Sequence, residues 1–155
     1  MRILIAIDYG TCSKNIIRFF SDGKFSSSTK VMCVHVIEPS AWQSPGFYPV
    51  IAPYPDSILE THRQAASELL FNMYGILKDA YFDDVDFRVL EGNIVEEINN
   101  AATEFGADLI VMAKQNKGFV EKLIFGSVTQ RVIENTSCSV AVVKEAQSPV
   151  TLIAA

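Results

Sequence analysis

The chain has 155 residues, 49% of them apolar and 20% charged, with a formal net charge of −5. That length suits one domain with a real core, and mild acidity without a run of Lys or Arg excludes nucleic acid or an anionic membrane as the main partner. No apolar stretch reaches the roughly 18 residues of a membrane span, and the start MRILIAIDYG lacks the length and cleavage site of a secretory signal, so a soluble cytoplasmic protein is expected.

The first run, RILIAI (Arg2 to Ile7), is apolar at nearly every position. It reads as a strand covered on both faces, as in a parallel sheet between helices. Asp8-Tyr9-Gly10-Thr11 follows it. A carboxylate there can accept hydrogen bonds from an amino group or a sugar hydroxyl, and Asp8 or Thr11 can equally cap the helix predicted over Thr11 to Phe20. The second strand, VMCVHVI (Val31 to Ile37), carries Val36 near its end, where the side chain can line a flat base or simply pack. From Glu38 to Asp56 the chain reads EPSAWQSPGFYPVIAPYPD, with five prolines and the only tryptophan. A loop this long can act as a lid or contact surface, while Trp42 and Phe47 can equally pack down on the body.

Ser57 opens the longest helical pattern, with Leu59, Ala66, Leu69, Leu70, Met73 and Leu77 on one stripe. Ser57 and Glu60 have the spacing of a capping box. VDFRVLEG (Val85 to Gly92) alternates, with Val85, Phe87 and Val89 on one side and Asp86, Arg88 and Leu90 on the other, and so predicts an edge strand. Asn93 to Phe105 is helical in period, and Gly106 is placed to end it. A fourth strand, Asp108 to Ala113, leads into AKQNKGFVEKLIFGSVTQ, Ala113 to Gln130. Backbone amides of a glycine-containing loop and of a helix start form a positive concavity suited to phosphate. Gly126 would permit close approach and Ser127 could donate its hydroxyl. Ser127 and Gln130 also have capping-box spacing, which would turn that hydroxyl onto the helix's own amides. A helix over Ser127 to Asn135 and a strand over Ser139 to Lys144 complete the pattern.

Strands alternating with helices predict an α/β fold, an open doubly wound Rossmann-like parallel sheet with helices on both faces. Ligands then bind at the carboxyl ends of the strands, at the topological switch point. Cysteines at 12, 33 and 138, with only His35 and His62, are too few and too scattered for a metal centre. No phosphate-loop, dinucleotide or nucleophile-elbow motif is present. Catalytic residues are therefore not predicted.

The N-terminal strand ending in Asp8, VHVIEP, LEGNIVEEI, ADLIVMA, GSVTQRVI and CSVAVVK together resemble a universal stress protein domain, in the right order and over nearly the whole chain. The resemblance implies a five-stranded sheet in the order 3-2-1-4-5 over residues 1–145, with 146–155 as a tail able to cover the edge strand. It implies a homodimer through strand 139–144 and a role in stress response or signalling. It also implies an adenine nucleotide, ATP or AMP, with magnesium as counter-ion and at most slow hydrolysis. Adenine and ribose contacts would come from Asp8, Val36 and Met112, and phosphate contacts from Asn116, Gly126, Ser127, Val128 and Thr129. The family's ATP-binding branch carries G-x2-G-x9-G-S/T after strand 4. Here Ala113 and Asn116 stand at the first two glycine positions, and only Gly126-Ser127 is intact. Asparagine visits the left-handed region more readily than other non-glycine residues, but its side chain needs room that a phosphate would take. The same departure fits a non-nucleotide-binding interaction module of the same fold.

Overall fold

The computed structural model describes residues 1–9, 13–38, 56–113 and 126–143. In chain order these form β1 (Arg2–Ala6), α1 (Ser13–Asp22), β2 (Lys30–Ile37), α2 (Asp56–Ala80), β3 (Asp84–Glu91), α3 (Ile94–Phe105), β4 (Leu109–Ala113), α4 (Ser127–Asn135) and β5 (Ser139–Val143). All pairings are parallel and the sheet order is β3-β2-β1-β4-β5. The order reverses between β1 and β4, so the switch point lies at their carboxyl ends.

The strand pleat divides the core into two layers. Ile3, Ile5, Val31, Cys33 and Val111 pack against Ile16 and Phe20 of α1 and Leu70, Met73 and Leu77 of α2. Leu4, Met32, Val34, Ile110 and Met112 pack against Val95, Ile98, Ala101 and Ala102 of α3 and Val132 of α4. β1 is thus covered from both sides, with Ile3, Leu4 and Ile5 fully buried. This is why its sequence is a continuous apolar run rather than an alternating one. β3 is an edge, as its alternation predicts: Val85, Phe87 and Val89 face the α2 layer, while Asp86 and Arg88 remain exposed.

Helix ends follow local chemistry. Asn93 caps α3 by accepting from the amides of Val95 and Glu96 at 3.1 and 3.3 Å. Gly106 closes the same helix at φ 66, with its own amide bonded back to Ala102 and Thr103. The capping box expected at Ser57 does not form. α2 already begins at Asp56, whose charge suits the positive end of the helix, and the Ser57 carbonyl accepts the Thr61 hydroxyl at 2.9 Å. The loop 39–55 with Trp42 and Phe47, the segment 114–125 and the tail 144–155 lie outside the described residues. No helix among the described residues is long and apolar enough to cross a membrane.

Candidate functional site

β1 and β4 run side by side to the switch point, with Ala6 in register with Met112 on one side and Val34 on the other. One further backbone bond, from the Ile7 amide to the Val34 carbonyl at 2.9 Å, holds the chain in line before Asp8. Asp8 is half-buried just beyond the last paired residue of β1. The pleat sends Met112, Ala6 and Val36 to the α3/α4 layer, where they pack with Ile94 and Val128. Two residues expected at an adenine, Val36 and Met112, therefore share one apolar layer with Val128 at the start of α4. Ala113 points the other way, into the α1/α2 layer.

The start of α4 bears on the capping reading of Ser127. The N-cap is Gly126, at φ −53 and ψ 154, which has no side chain to offer, and no side chain among the described residues bonds to the helix start. Ser127 is the first helical residue and is exposed, whereas Thr129 is buried. Gln130 does not reach back; its side-chain amide donates to Glu134 at 2.9 Å, and its backbone amide closes the first turn on the Gly126 carbonyl at 3.0 Å. The Ser127 capping box is thus absent, because Ser127 sits one position too late to serve as a cap. Among the described residues the first amides of α4 have no side-chain acceptor. Gly126 adopts a φ open to any residue, and a Cβ built there meets nothing within 4 Å among the described residues. Neither its conformation nor its described neighbours require glycine. Asn116, the departure from the glycine pattern, lies outside the described residues.

Sequence reading passed over His35. It is buried at 5% exposure on β2, with Nδ1 2.8 Å from the Ile7 carbonyl, so that nitrogen carries the proton and donates. The Tyr9 ring lies 4.6 Å from the imidazole, and the Tyr9 hydroxyl donates to the His62 carbonyl of α2 at 3.1 Å. Burial lowers the His35 pKa; the Ile7 hydrogen bond and the Asp8 carboxylate oppose that shift and His62 adds to it. The available signal was a polar residue inside an apolar run, which requires a partner. On the far side of β2, Asn93 donates to Glu38 at 3.2 Å and the Gly92 amide to the Ile37 carbonyl at 3.0 Å. These contacts fix the two chain segments that leave β2 and β3. Among the described residues no group of three His, Cys, Asp or Glu side chains is placed to hold a metal.

Residues 1–144 match the model of the universal stress protein family. Universal stress protein MJ0577 of Methanocaldococcus jannaschii is 25% identical over 158 aligned residues, covering 95% of this chain and 96% of that one. Its solved structure superposes with a TM-score of 0.76 at 24% identity, over 95% of this chain and 97% of the other. The universal stress protein of Archaeoglobus fulgidus in complex with dAMP matches with a TM-score of 0.59 at 20% identity, over 93% and 98% of the two chains. A universal stress family protein of Arabidopsis thaliana with AMP bound also gives 0.59, at 15% identity over 94% and 92%.

Proposed function

This chain belongs to the universal stress protein family, and we propose that it binds an adenine nucleotide, AMP or ATP with magnesium as counter-ion, at the carboxyl ends of β1 and β4. The single observation that carries the reading is the start of α4: among the described residues no side chain caps its first amides, and a Cβ built at Gly126 beside them meets no atom within 4 Å. A helix N-terminus in that condition favours a phosphate through its dipole and its N–H groups. Val36 and Met112 supply apolar contact for the base, and Asp8 accepts from the ribose hydroxyls. Ser127, Val128 and Thr129 offer backbone amides to the phosphate, with Gly126 allowing close approach and Ala113 and Asn116 contributing backbone. Two family members of the same fold carry dAMP and AMP, which supports this ligand class.

The protein would act in stress response as a nucleotide-dependent, cytoplasmic homodimer, pairing through strand 139–144, where Val140 to Val143 are only half-buried. The test is acid extraction of the purified protein for adenine nucleotide, followed by thermal unfolding with AMP or ATP and magnesium. Gly126→Asp puts a carboxylate where the phosphate would sit. It is expected to keep or slightly raise the unliganded midpoint, since a Cβ there meets no described atom and an N-cap carboxylate can accept from the helix amides, and to lose the nucleotide-induced rise. Equal absence of any rise in both proteins would favour the interaction-module reading that Asn116 suggests.

A further inference from the structure

The β3 edge carries an arrangement that nucleotide binding does not use. Phe71 of α2 is 62% exposed, the largest such value among the described large apolar side chains. It leans against Phe87 of β3 at 6.3 Å between ring centres, with Tyr74 at 6.2 Å from Phe71 and 5.7 Å from Phe87. An exposed aromatic ledge beside an open sheet edge needs a partner or protection.

Backbone polarity shows how a partner could approach. Alternate residues of an edge strand turn their N–H and C=O outward. Gly92 donates inward, to Ile37 of β2, which makes the even-numbered residues of this stretch inward-facing. The Phe87 amide instead goes to the Asp86 carboxylate at 2.7 Å, which makes Val85, Phe87 and Val89 the outward-facing set. An added antiparallel strand must therefore pair odd residues with odd.

We propose that β3 is a self-association surface, on which two copies of this chain pair β3 antiparallel about a two-fold axis at Phe87. In that register Phe87 exchanges two backbone bonds with the partner's Phe87, and Val85 pairs with the partner's Val89. Asp86 then lies opposite the partner's Arg88, and Arg88 opposite the partner's Asp86, in the closely spaced positions where side chains meet. Sliding by two residues one way sets Asp86 against the partner's Asp86. Sliding the other way sets Arg88 against the partner's Arg88. Of these three registers only the Phe87-centred one sets Asp86 against Arg88 on both sides while keeping the hydrogen-bond direction, and the contact is isologous, as a closed dimer interface must be. Asp86 exchanges its bond to the Phe87 amide for an ion pair, and the partner's Phe87 carbonyl takes over the amide. Arg88 gives up Glu104, a 3.0 Å pair whose glutamate side chain is 69% exposed and which therefore contributes little.

Charge exchange tests this directly. In Asp86→Arg two arginines oppose the partner's two, and in Arg88→Asp four aspartates meet. A one-to-one mixture of the two variants, however, restores opposite charges at both positions, as does the double variant with both substitutions. Sedimentation velocity is expected to show the mixture and the double variant at twice or more the mass of either single variant alone. This holds whether or not β5 also pairs, because every sample keeps β5. As a second readout on the unaltered chain, amide exchange at Val85 and Val89 is expected to slow as concentration rises. A mixture no heavier than its components, or exchange at these amides independent of concentration, would overturn the proposal.

Discussion

At Gly126 the absence of a side chain has no conformational cause, because φ −53 suits any residue and a Cβ there meets no described atom. What remains is the space itself, beside amides that no described side chain caps. Sequence reading left Ser127 divided between ligand and cap because the spacing S-x-x-Q suits both. The structure removes the capping reading alone, by starting the helix one residue earlier than a capping serine requires. His35 gives a residue-scale prediction of a different kind. Its pKa is lowered by burial in the fold, so the unfolded chain takes up protons first as pH falls below about 6.5. Its contribution to stability is complete above that value and is lost on acidification through the window down to its folded pKa. Thermal midpoints of the wild type between pH 7.5 and 5 are expected to fall more steeply than those of His35→Asn, and parallel curves would refute the assignment. Glu91 behaves in the same direction but lower: its hydrogen bond with Arg63 depresses its pKa, so its contribution is lost only as pH falls below about 4.5, the ordinary glutamate range.

Among the elements, α3 shows most plainly how local sequence sets a boundary. Asn93 accepts from two orphan amides and also holds Glu38, and Asn93→Ala is expected to cost about 1 kcal/mol in denaturant unfolding. Gly106 sits at φ 66, and a Cβ there would lie 2.8 Å from Arg2 Nη1. Gly106→Ala is expected to cost about 1–2 kcal/mol from the left-handed backbone, and a neutral result would count against that strain. These ends were readable because cap residues act over three or four positions. Strand β3 was readable as an edge for a related reason, since only a strand lacking one neighbour keeps Asp86 and Arg88 in water. The Ser57 capping box was misread because the spacing recurs one residue inside a helix that Asp56 can begin. His35 was missed because its partners, Ile7 and Tyr9, are distant in sequence and meet only when β1 and β2 pair. The self-complementary charges of β3 were likewise silent until the direction of each amide was known.

For the whole molecule, parallel order β3-β2-β1-β4-β5 brings the ends of β1 and β4 together at the point where the chain reverses its winding. Val36, Met112 and Val128 at the start of α4 come from three separate elements, and their packing into one layer follows from topology rather than from any local motif. The alternation of elements made the fold class legible, while the strand order came through family resemblance. A ligand that binds only the folded state stabilises it by about 2.7 kcal/mol at a hundred times its dissociation constant, so nucleotide binding is visible in the unfolding of the entire domain. The most direct measurement is a backbone amide titration by NMR with AMP, with and without magnesium. Saturable shifts are expected at Ser127, Val128 and Thr129, together with Asp8 and Val36 and with a common dissociation constant. Amides at the α4 start that do not move at millimolar nucleotide would contradict binding at the switch point.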